Sequence, residues 1–381
     1  MANHLFINYE YPPLGGGSAT ACQQIARVLS KRGHEVTVLT SGIGSLHGTT
    51  VEDGVTIIRL RTLRKRAHQS GVLEMLSYVL AACWKVTSIS KAHRFDSTLA
   101  FFSVPGGIVA RWLHLRAQVP YVVSLRGGDV PGTEPHLAIF YKVLAGLRRN
   151  IFRRATAISA PSQGLKALSE QTDPFPVQVV PNGVDTDLFQ PVPERRAKVP
   201  TLLSVGRLHA QKNVAYLLNL VAAIKDKTGV RARIIGDGPE RPSLEAGAAD
   251  LGITEYVQFD GWLDREAVRE AYQSATFLVH ASSYEGMSNV ILEALATGLP
   301  VVASKIPGND ELIEDGTNGF LFEPSVDARE LADRILPVFQ NEAKWNQLSA
   351  AARSTIESRF SWNHAADLYE KLLKTAADER R

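Results

Sequence analysis

One local pattern occurs twice in this chain and limits the folds it can adopt. It consists of a short apolar segment, a glycine-rich turn, a helix with an apolar stripe and a second apolar segment. The first copy comprises "HLFINY" (4–9), "PPLGGGS" (12–18), a helix predicted over 19–32 with Ser18 as its N-cap, and "EVTVLT" (35–40). A strand, a glycine turn, a helix and a strand in this order form a βαβ unit with parallel strands. Further short apolar runs extend the predicted sheet at 97–102, 120–125, 155–160 and 177–182.

The pattern restarts after "PVPERRAKVP" (191–200), which has the proline and charge content of a linker. The second copy contains "TLLSVG" (201–206), a helix over 213–229, and strands in 231–240, 256–262, 275–282 and 300–304. We therefore predict an α/β protein with two Rossmann-like domains, 1–190 and 201–360, that face a central cleft. A helix at about 361–381 is predicted to pack back on the first domain.

Composition narrows the class of protein. The 381 residues are 45% hydrophobic and 21% charged, which is typical of a globular chain. Two distant cysteines indicate neither a disulfide framework nor a zinc site. The amino terminus lacks a signal-peptide pattern, and no uninterrupted apolar run reaches the length of a membrane span. We expect a soluble, cytoplasmic protein without a nucleic-acid partner.

The stretch "SSYEGMSNVILEALATGLPVVAS" (282–304) holds two acidic residues at a strand-to-helix junction. Glu285 follows the apolar strand and lies in a loop, and Glu293 lies inside an apolar helix that Ser288 can cap. The amides around Gly286–Asn289 open this helix, where an anion such as a diphosphate is stabilised. The carboxylates could accept sugar and ribose hydroxyls, or they could be ordinary loop and surface residues.

Two cations follow the first strand of the second copy. In "SVGRLHAQKN" (204–213), Arg207 comes directly after the strand and its glycine, and Lys212 comes five residues later. Two cations at the carboxyl end of a parallel strand suit a diphosphate. Taken singly, each could equally be a solvated surface residue.

Two glycine loops in the first domain are weaker signals. Gly15 and Gly16 belong to a loop that opens a helix and could cradle phosphate, but the loop lacks the dinucleotide fingerprint. "SLRGGDVPG" (124–132) places Arg126 and Asp129 after a strand, either as site residues or as a structural pair. The sequence contains no Walker, zinc-protease or nucleophile-elbow motif, and we predict neither a metal nor a cofactor.

Together these motifs resemble a known family. The chain looks like a retaining glycosyltransferase of family 4, whose fold of two Rossmann-like domains is called GT-B. The resemblance covers nearly the whole length and is strongest from "PNGVDTDLF" (181–189) onward, through "SVGRLHAQKN", "IIGDGPE" and the Glu285–Glu293 stretch, to "GNDELIEDGTNGFLF" (308–322).

The resemblance implies a donor site and a reaction. A sugar would pass from a nucleoside-diphosphate sugar, with UDP favoured, to a hydroxyl of a glycan, a lipid-linked glycan or a small molecule. Arg207 and Lys212 would hold the diphosphate, with Gly15 and Gly16 closing over it. Glu285 would contact the transferred sugar and Glu293 the ribose. The amides of Gly286, Met287 and Ser288 would meet sugar and phosphate, without a metal.

One position departs from the family pattern. Many members carry a His where this chain has Arg126, so the catalytic role implied for the acceptor-side loop rests on Asp129 and on an unusual Arg126. Two rival functions share the fold: a sugar-nucleotide epimerase and a non-catalytic sugar-nucleotide-binding scaffold. An epimerase would need acid and base groups in the first domain, for which His93 and Asp129 make a poor pair.

Charge is distributed unevenly. Residues 1–190 carry 20 Lys and Arg against 12 Asp and Glu, whereas the remainder carries 22 against 27. The basic residues form two clusters beside the apolar stretches 73–80 and 137–147. They are Arg59, Arg61, Arg64, Lys65 and Arg66 in one cluster, and Arg148, Arg149, Arg153 and Arg154 in the other. These stretches are either buried helices flanked by solvated cations or a face that docks on anionic lipid as a peripheral membrane surface.

Overall fold

Two sheets organise the protein, each in its own unit. In the computed structural model, which describes residues 1–67, 70–133 and 138–379, unit 1 consists of Met1–Gly183 and Trp362–Arg381, and unit 2 of Val184–Ser361. The strands, in chain order, are β1 (Asn3–Ile7), β2 (Glu35–Ser41), β3 (Gly48–Glu52), β4 (Val55–Leu60), β5 (Ser97–Phe101), β6 (Tyr121–Ser124), β7 (Ala157–Ala160), β8 (Val177–Val179), β9 (Thr201–Val205), β10 (Arg231–Ile235), β11 (Val257–Gly261), β12 (Phe277–His280), β13 (Val301–Ser304) and β14 (Gly319–Phe322).

The helices cover both sheets and complete the predicted two-domain α/β class. They are α1 (Gly17–Lys31), α2 (Val72–Ala92), α3 (Gly107–Ala117), α4 (Ala138–Val143), α5 (Ala145–Arg154), α6 (Gln163–Thr172), α7 (Ala215–Thr228), α8 (Arg241–Asp250), α9 (Arg265–Ser274), α10 (Asn289–Ala296), α11 (Ala328–Phe339), α12 (Glu342–Arg359) and α13 (Trp362–Glu379). Because helices cover them, the central strands are buried along almost their whole length and do not alternate between buried and exposed residues.

Unit 1 contains an eight-stranded sheet of order β3-β4-β2-β1-β5-β6-β7-β8. Its pairs are parallel except for the hairpin β3–β4, which the sequence analysis did not predict. Every residue of β3 is exposed, so the strand lacks the alternating pattern of a half-buried one. The Asp53-Gly54 turn, with both residues at positive φ, was the local signal available for it.

The start of α1 differs from the prediction. Gly16, not Ser18, occupies the N-cap position, and it makes no side-chain cap. Ser18 lies within the first turn, where its hydroxyl and carbonyl oxygens accept hydrogen bonds from the side-chain amide of Asn8, each at 3.2 Å. Asn8 therefore ties the end of β1 to the first turn of α1.

Unit 2 contains a six-stranded parallel sheet of order β11-β10-β9-β12-β13-β14. The strand order reverses between β9 and β12, which pair directly through Leu202 with Phe277 and Leu203 with Leu278. Such a reversal opens a crevice at the carboxyl ends of the two strands, where ligands of open α/β sheets bind.

The division between the units does not fall where the sequence predicted it. We expected the first domain to reach residue 190 and 191–200 to be a linker, but the chain joins unit 2 from Val184 onward. The Val184 amide donates to the Phe360 carbonyl at 3.0 Å, and the Ala197 amide donates to the Ser274 carbonyl at 3.0 Å. The segment 191–200, rich in proline and charge, is therefore attached to the surface of unit 2 and is not a free linker.

Helix α13 lies in the core of unit 1. Its buried residues include Tyr369 and Leu373, which pack with residues of β1 and α1 such as Phe6 and Ile25. The Tyr369 hydroxyl lies 2.6 Å from the Ser124 hydroxyl at the end of β6. The carboxyl-terminal helix is thus a component of the first unit.

Helix α2 also differs from the prediction. We expected no segment able to cross a membrane, yet within the described residues this one helix is long and apolar enough to do so by length and composition. Its inner face, which carries Tyr78, Ala82, Val86 and Ile89, is buried in unit 1. The helix is therefore part of a folded α/β core along one face.

Several arginines predicted to form a basic face are internal. Arg59, Arg64 and Arg148 are all buried. Arg64 donates to the carbonyls of Tyr9 and Ala67, and Arg148 pairs with the buried Asp173 at 2.5 Å. Residues 68 and 69 of the first cluster's segment, and residue 137 of the second apolar stretch, lie outside the described residues.

Candidate active site

The carboxyl ends of β9 and β12 bring the two predicted motifs of unit 2 together. The turn after β9 is linked to the loop after β12 by backbone and side-chain hydrogen bonds. The Gln211 side chain donates to the Tyr284 carbonyl at 2.8 Å, and the Ser283 amide donates to the Gln211 carbonyl at 2.8 Å. Residues 73 positions apart in sequence thus share one edge of the sheet.

The side chains of Lys212, Glu285 and His280 form a cluster at this edge, and Ser282 lies beside it. The Lys212 ammonium lies 2.5 Å from Oε1 of Glu285, and Nε2 of His280 lies 2.9 Å from the same oxygen. The Ser282 hydroxyl lies 3.1 Å from His280 Nε2. Since an ionised carboxylate can only accept, His280 carries its hydrogen on Nε2 and donates it to Glu285.

The cluster keeps Glu285 ionised. Burial by itself raises the pKa of a carboxyl group, but Lys212 and the hydrogen bond from His280 outweigh burial and hold the pKa of Glu285 well below its usual range. Burial lowers the pKa of His280, although Glu285 opposes this shift. At neutral pH Glu285 is therefore a carboxylate and His280 a neutral imidazole.

Arg207 is placed differently from Lys212. It follows β9 and Gly206 and is partly buried, and no carboxylate of the described residues forms an ion pair with it. Lys212 is held by Glu285, whereas the guanidinium of Arg207 is not neutralised by such a partner. Within the described part of the chain, Arg207 is thus free of a carboxylate that would compete with an incoming anion, whereas Lys212 is not.

The start of α10 supplies the amides that were predicted to meet an anion. Ser288 is the N-cap and accepts from the Ile291 amide at 3.4 Å, as predicted from the sequence. The Met287 side chain is buried in the core of unit 2, so it contributes its backbone to the loop. Gly308, with φ +94°, lies against this loop; a Cβ there would lie 2.8 Å from the Gly286 carbonyl oxygen.

Glu293 has a separate environment. The Tyr272 hydroxyl donates to its carboxylate at 3.1 Å, and no hydrogen bond within the described residues links it to Glu285. Burial raises the pKa of Glu293 to about 7, against the opposing effects of Arg265 and Tyr272. The two carboxyl groups of the motif therefore differ in charge state near neutral pH.

In unit 1 the glycine loop lies against the carboxyl group of Glu10. The Gly16 amide donates to Oε2 of Glu10 at 3.4 Å. Gly15 has φ +97°, and a Cβ there would lie 2.7 Å from the same oxygen. The loop thus adopts a conformation that accommodates a carboxylate at the end of β1.

Asp129 and Arg126 do not form the ion pair that one interpretation of the sequence predicted. Both Asp129 carboxylate oxygens accept backbone amides, one from Ser103 at 2.6 Å and one from Arg126 at 2.9 Å. Burial raises the pKa of Asp129, and these amides oppose the shift. The Arg126 guanidinium instead donates to Asn182 at 2.8 Å and to the Tyr369 hydroxyl at 3.3 Å.

The pair considered for an epimerase is separated within unit 1. His93 is the exposed residue that ends α2, close to the amino end of β5. Asp129 is buried in the loop after the carboxyl end of β6. Because β5 and β6 are parallel neighbours, the two residues lie at opposite edges of the sheet.

Two residues of the unit 2 site, His280 and Gly308, were not predicted from the sequence. His280 is the last residue of the otherwise apolar strand β12, and its signal was a single polar residue at the strand end, five positions before Glu285. Gly308 lies in a loop far along the chain, and only its inclusion in a glycine-asparagine-aspartate sequence marked it as a turn. Within the described residues, no group of three or more metal-ligating side chains forms a candidate metal site.

Comparison with known families gives two matches that together run along most of the chain. A model described as "Glycosyltransferase Family 4" matches residues 15–188. A model described as "Glycosyl transferases group 1" matches residues 185–355. The boundary between the matches lies close to the boundary between units 1 and 2.

Several proteins of known family or structure are similar to this chain over nearly its full length. An uncharacterized glycosyltransferase of Methanocaldococcus jannaschii is 25% identical over 98% of this chain and 98% of its own. Sucrose-phosphate synthase from Thermosynechococcus elongatus has the same fold, with a TM-score of 0.83 at 20% identity over 98% of both chains. The HepE protein of Anabaena, solved with UDP and glucose, gives 0.78 at 22% identity over 98% of this chain and 100% of its own. These structures have two Rossmann-like domains, the GT-B fold.

Proposed function

Because this chain belongs to the family 4, group 1 glycosyltransferases, we propose that its substrate is a nucleoside-diphosphate sugar with uridine as the base. The sugar is transferred with retention of configuration to a hydroxyl of a glycan, a lipid-linked glycan or a small molecule. The observation that carries this proposal is the cluster of Lys212, Glu285 and His280 at the strand-order reversal of unit 2.

The charges at this edge support a diphosphate contact. Arg207 and Lys212 follow β9, and the amides of Gly286, Met287 and Ser288 open α10, so cations and helix-terminal amides are both available to phosphate. The arriving diphosphate competes with Glu285 for Lys212. His280 remains hydrogen-bonded to Glu285 during this exchange and keeps the carboxylate oriented toward the sugar.

Catalysis follows from where charge develops. As the bond between the sugar and the diphosphate stretches, negative charge builds on the phosphate oxygens, and Arg207, Lys212 and the start of α10 stabilise it. Glu285 accepts a hydrogen bond from a hydroxyl of the sugar that is being transferred. Glu293 accepts the ribose hydroxyls.

Uridine as the base and unit 1 as the acceptor side are part of the same proposal. HepE of Anabaena, which shares the fold, was solved with UDP and glucose. On the acceptor side, Asp129 fixes the loop after β6 through the amides of Ser103 and Arg126. Because two protein cations are available to the leaving group, we propose that transfer needs no divalent ion.

The test measures nucleoside diphosphate release. The full chain is incubated with UDP- and GDP-sugars, with and without candidate acceptors, and in parallel with EDTA. We expect UDP release that increases when a suitable acceptor is present and that persists in EDTA. Interconversion of the sugar without UDP release would instead identify an epimerase, and binding without any turnover would identify a scaffold. Loss of activity in EDTA that Mg²⁺ restores would contradict the metal-independent mechanism.

A further inference from the structure

Helix α2 exposes a continuous line of large apolar side chains. Leu73, Leu76, Leu80 and Trp84 recur at the spacing of one helical face and are 74%, 52%, 64% and 77% exposed. We call these four residues the outer stripe. Leu63, which is 63% exposed, lies beside it, because its amide donates to Ser77 of α2 at 3.0 Å. Contiguous exposed apolar surface of this kind marks an interaction site.

A second apolar line lies on α4 and α5. Ile139 and Val143 are 79% and 74% exposed, and Leu147, one helical turn further on, is 40% exposed. The helices that carry the two lines contribute other residues to the lining of one cavity of about 470 Å³ at the carboxyl edge of the unit 1 sheet. Val72 and Met75 of α2 form one part of its lining, and Phe140 and Leu144 form another.

The cavity is amphipathic. Its lining at the strand ends includes Glu10, Ser103 and Asp129, which follow β1, β5 and β6. Its remaining lining is largely apolar and reaches the surface at Val72, which is 62% exposed and directly precedes the outer stripe. A ligand that fills it would have a polar group at the strand ends and an apolar part directed toward α2 and α4.

Charge around both apolar lines is strongly positive. The three helices α2, α4 and α5 carry one acidic residue, Glu74, whose carboxylate accepts the Gly71 amide at the start of α2. Their basic residues are Lys85, Lys91, Lys142, Arg148, Arg149, Arg153 and Arg154. Arg148 and Arg149 share the single carboxylate of Asp173, which offsets one of their two charges, and the other basic residues remain to attract an anionic surface. Arg116, stacked on Trp112, adds a cation to the groove that also contains Trp84 and Lys91.

We propose that the outer stripe and the line on α4 and α5 dock unit 1 on an anionic bilayer, and that the cavity between them takes an acceptor carried on a lipid. Apolar side chains enter the headgroup region while the flanking Lys and Arg contact anionic headgroups. The choice of a lipid-linked acceptor rests on the proposed transferase function, whereas the docking surface does not depend on it.

The first experiment measures vesicle binding by the full chain. We compare vesicles of phosphatidylcholine alone with vesicles of equal parts phosphatidylcholine and phosphatidylglycerol. We expect roughly tenfold stronger binding to the anionic vesicles and partial release by added salt, because salt screens exposed charges. Equal recovery in the supernatant with both vesicles would overturn the docking surface.

Matched variants locate the surface. Leu80→Ser with Trp84→Ser changes the outer stripe, and Leu251→Ser with Trp262→Ser changes the same residue types on unit 2, where they are 39% and 60% exposed. We expect the first pair to lose about tenfold in vesicle binding and the second pair to bind like the unchanged chain. If the first pair bound vesicles like the unchanged chain, the stripe would not be the docking surface. If the unchanged chain were a dimer and the first pair a monomer, the stripe would be a contact between two copies of the chain.

The second experiment tests the cavity with an alkyl glycoside. Octyl glucoside, below its micelle concentration, should bind more tightly than methyl glucoside by about tenfold, because its chain occupies the apolar lining. Val72→Glu should remove this preference, whereas Leu73→Glu, outside the lining, should keep it. Equal affinity of both glucosides would contradict an acceptor with an apolar part.

Nucleotide binding separates a failure of the docking surface from a failure of the proposed transferase function. Calorimetry with UDP is run on the unchanged chain and on the stripe variant, which touches no residue of the donor site. If UDP binds but vesicles do not, the docking proposal fails and the transferase proposal stands. If vesicles bind but UDP does not, the docking surface stands, and both the proposed UDP-sugar donor and the acceptor assignment fail.

Discussion

Units 1 and 2 each place a carboxylate in a glycine-containing loop after a buried strand, but the two carboxylates have opposite surroundings. Glu285 of unit 2 is held by the side chains of Lys212 and His280. Asp129 of unit 1 is held by the backbone amides of Ser103 and Arg126. A ligand can replace a side-chain partner by a change of rotamer, whereas backbone partners are lost only when the loop itself rearranges. The comparison separates an exchangeable site from a fixed one.

The largest effect is expected at the exchangeable site. Glu285→Gln should lower turnover by on the order of 100-fold or more while the fold survives, as expected for a group whose charge acts in the transition state. Steady-state kinetics and circular dichroism measure the two properties. Glu323→Gln is the control, because Glu323 is an exposed carboxylate of unit 2 paired with Lys305. Near-normal turnover of the Glu285 variant would remove this residue from the mechanism.

The second largest effect is expected at Arg207, which has no ion-pair partner among the described residues. Arg207→Ala should weaken UDP binding by about 10- to 100-fold and leave uridine binding unchanged, because it removes a charge-assisted contact to phosphate. Arg231→Ala, at the opposite edge of the same sheet on the amino end of β10, is the control. Equal losses for UDP and uridine in calorimetry would show that Arg207 does not contact the diphosphate.

A change at Asp129, the fixed site, should lower the stability of the protein. Asp129→Asn replaces one accepting oxygen by an amide group that cannot accept from Ser103 or Arg126, so we expect the free energy of unfolding to fall by about 2 kcal/mol. Chemical denaturation measures it, with the exposed Asp333→Asn as control. UDP affinity should not change. A variant of unchanged stability but greatly reduced transfer would instead give Asp129 a direct catalytic role.

His280 tests whether Glu285 must be oriented. His280→Ala should lower kcat by roughly tenfold with little change in KM for the donor, and His280→Gln, which retains a donor, should recover part of the loss. Removing His280 also removes one group that lowers the pKa of Glu285, so the acidic limb of the pH profile should move to higher pH. If both variants had the kinetics and the pH profile of the unchanged chain, His280 would have only a structural role.

The smallest effect concerns Glu293. Since burial raises its pKa to about 7 and ribose hydroxyls donate to the carboxylate form, binding releases a proton, and affinity for uridine should rise several-fold from pH 6 to pH 8. Calorimetry in buffers of different ionisation enthalpy measures the released proton. Glu293→Gln should bind more weakly and independently of pH. A pH dependence that persists in this variant would assign the titration to another group.

Much of the fold was predictable because it follows from local pattern. The apolar runs and glycine turns predicted β1, β2, β9, β12 and β13 to within a few residues, and Ser288 predicted the start of α10. The hairpin β3–β4 and the boundary after Gly183 were not predicted. An exposed edge strand lacks apolar alternation, and a segment rich in proline and charge can still be bound to a domain surface by its backbone amides.

Sequence alone determined which residues could carry the chemistry of the unit 2 site, since Arg207, Lys212, Glu285 and Glu293 all follow from strand ends and a helix start. Only the tertiary structure decided their partners. Hydrogen bonds between loops 73 residues apart bring Lys212 to Glu285, and the end of an apolar strand brings His280 to the same oxygen. The tertiary structure also decided the role of three basic residues of unit 1. Arg59, Arg64 and Arg148 are buried and hydrogen-bond to other parts of the unit. Residue type sets what a side chain can do, and the distance to its partners, which the sequence does not contain, sets its charge and its freedom to meet a ligand.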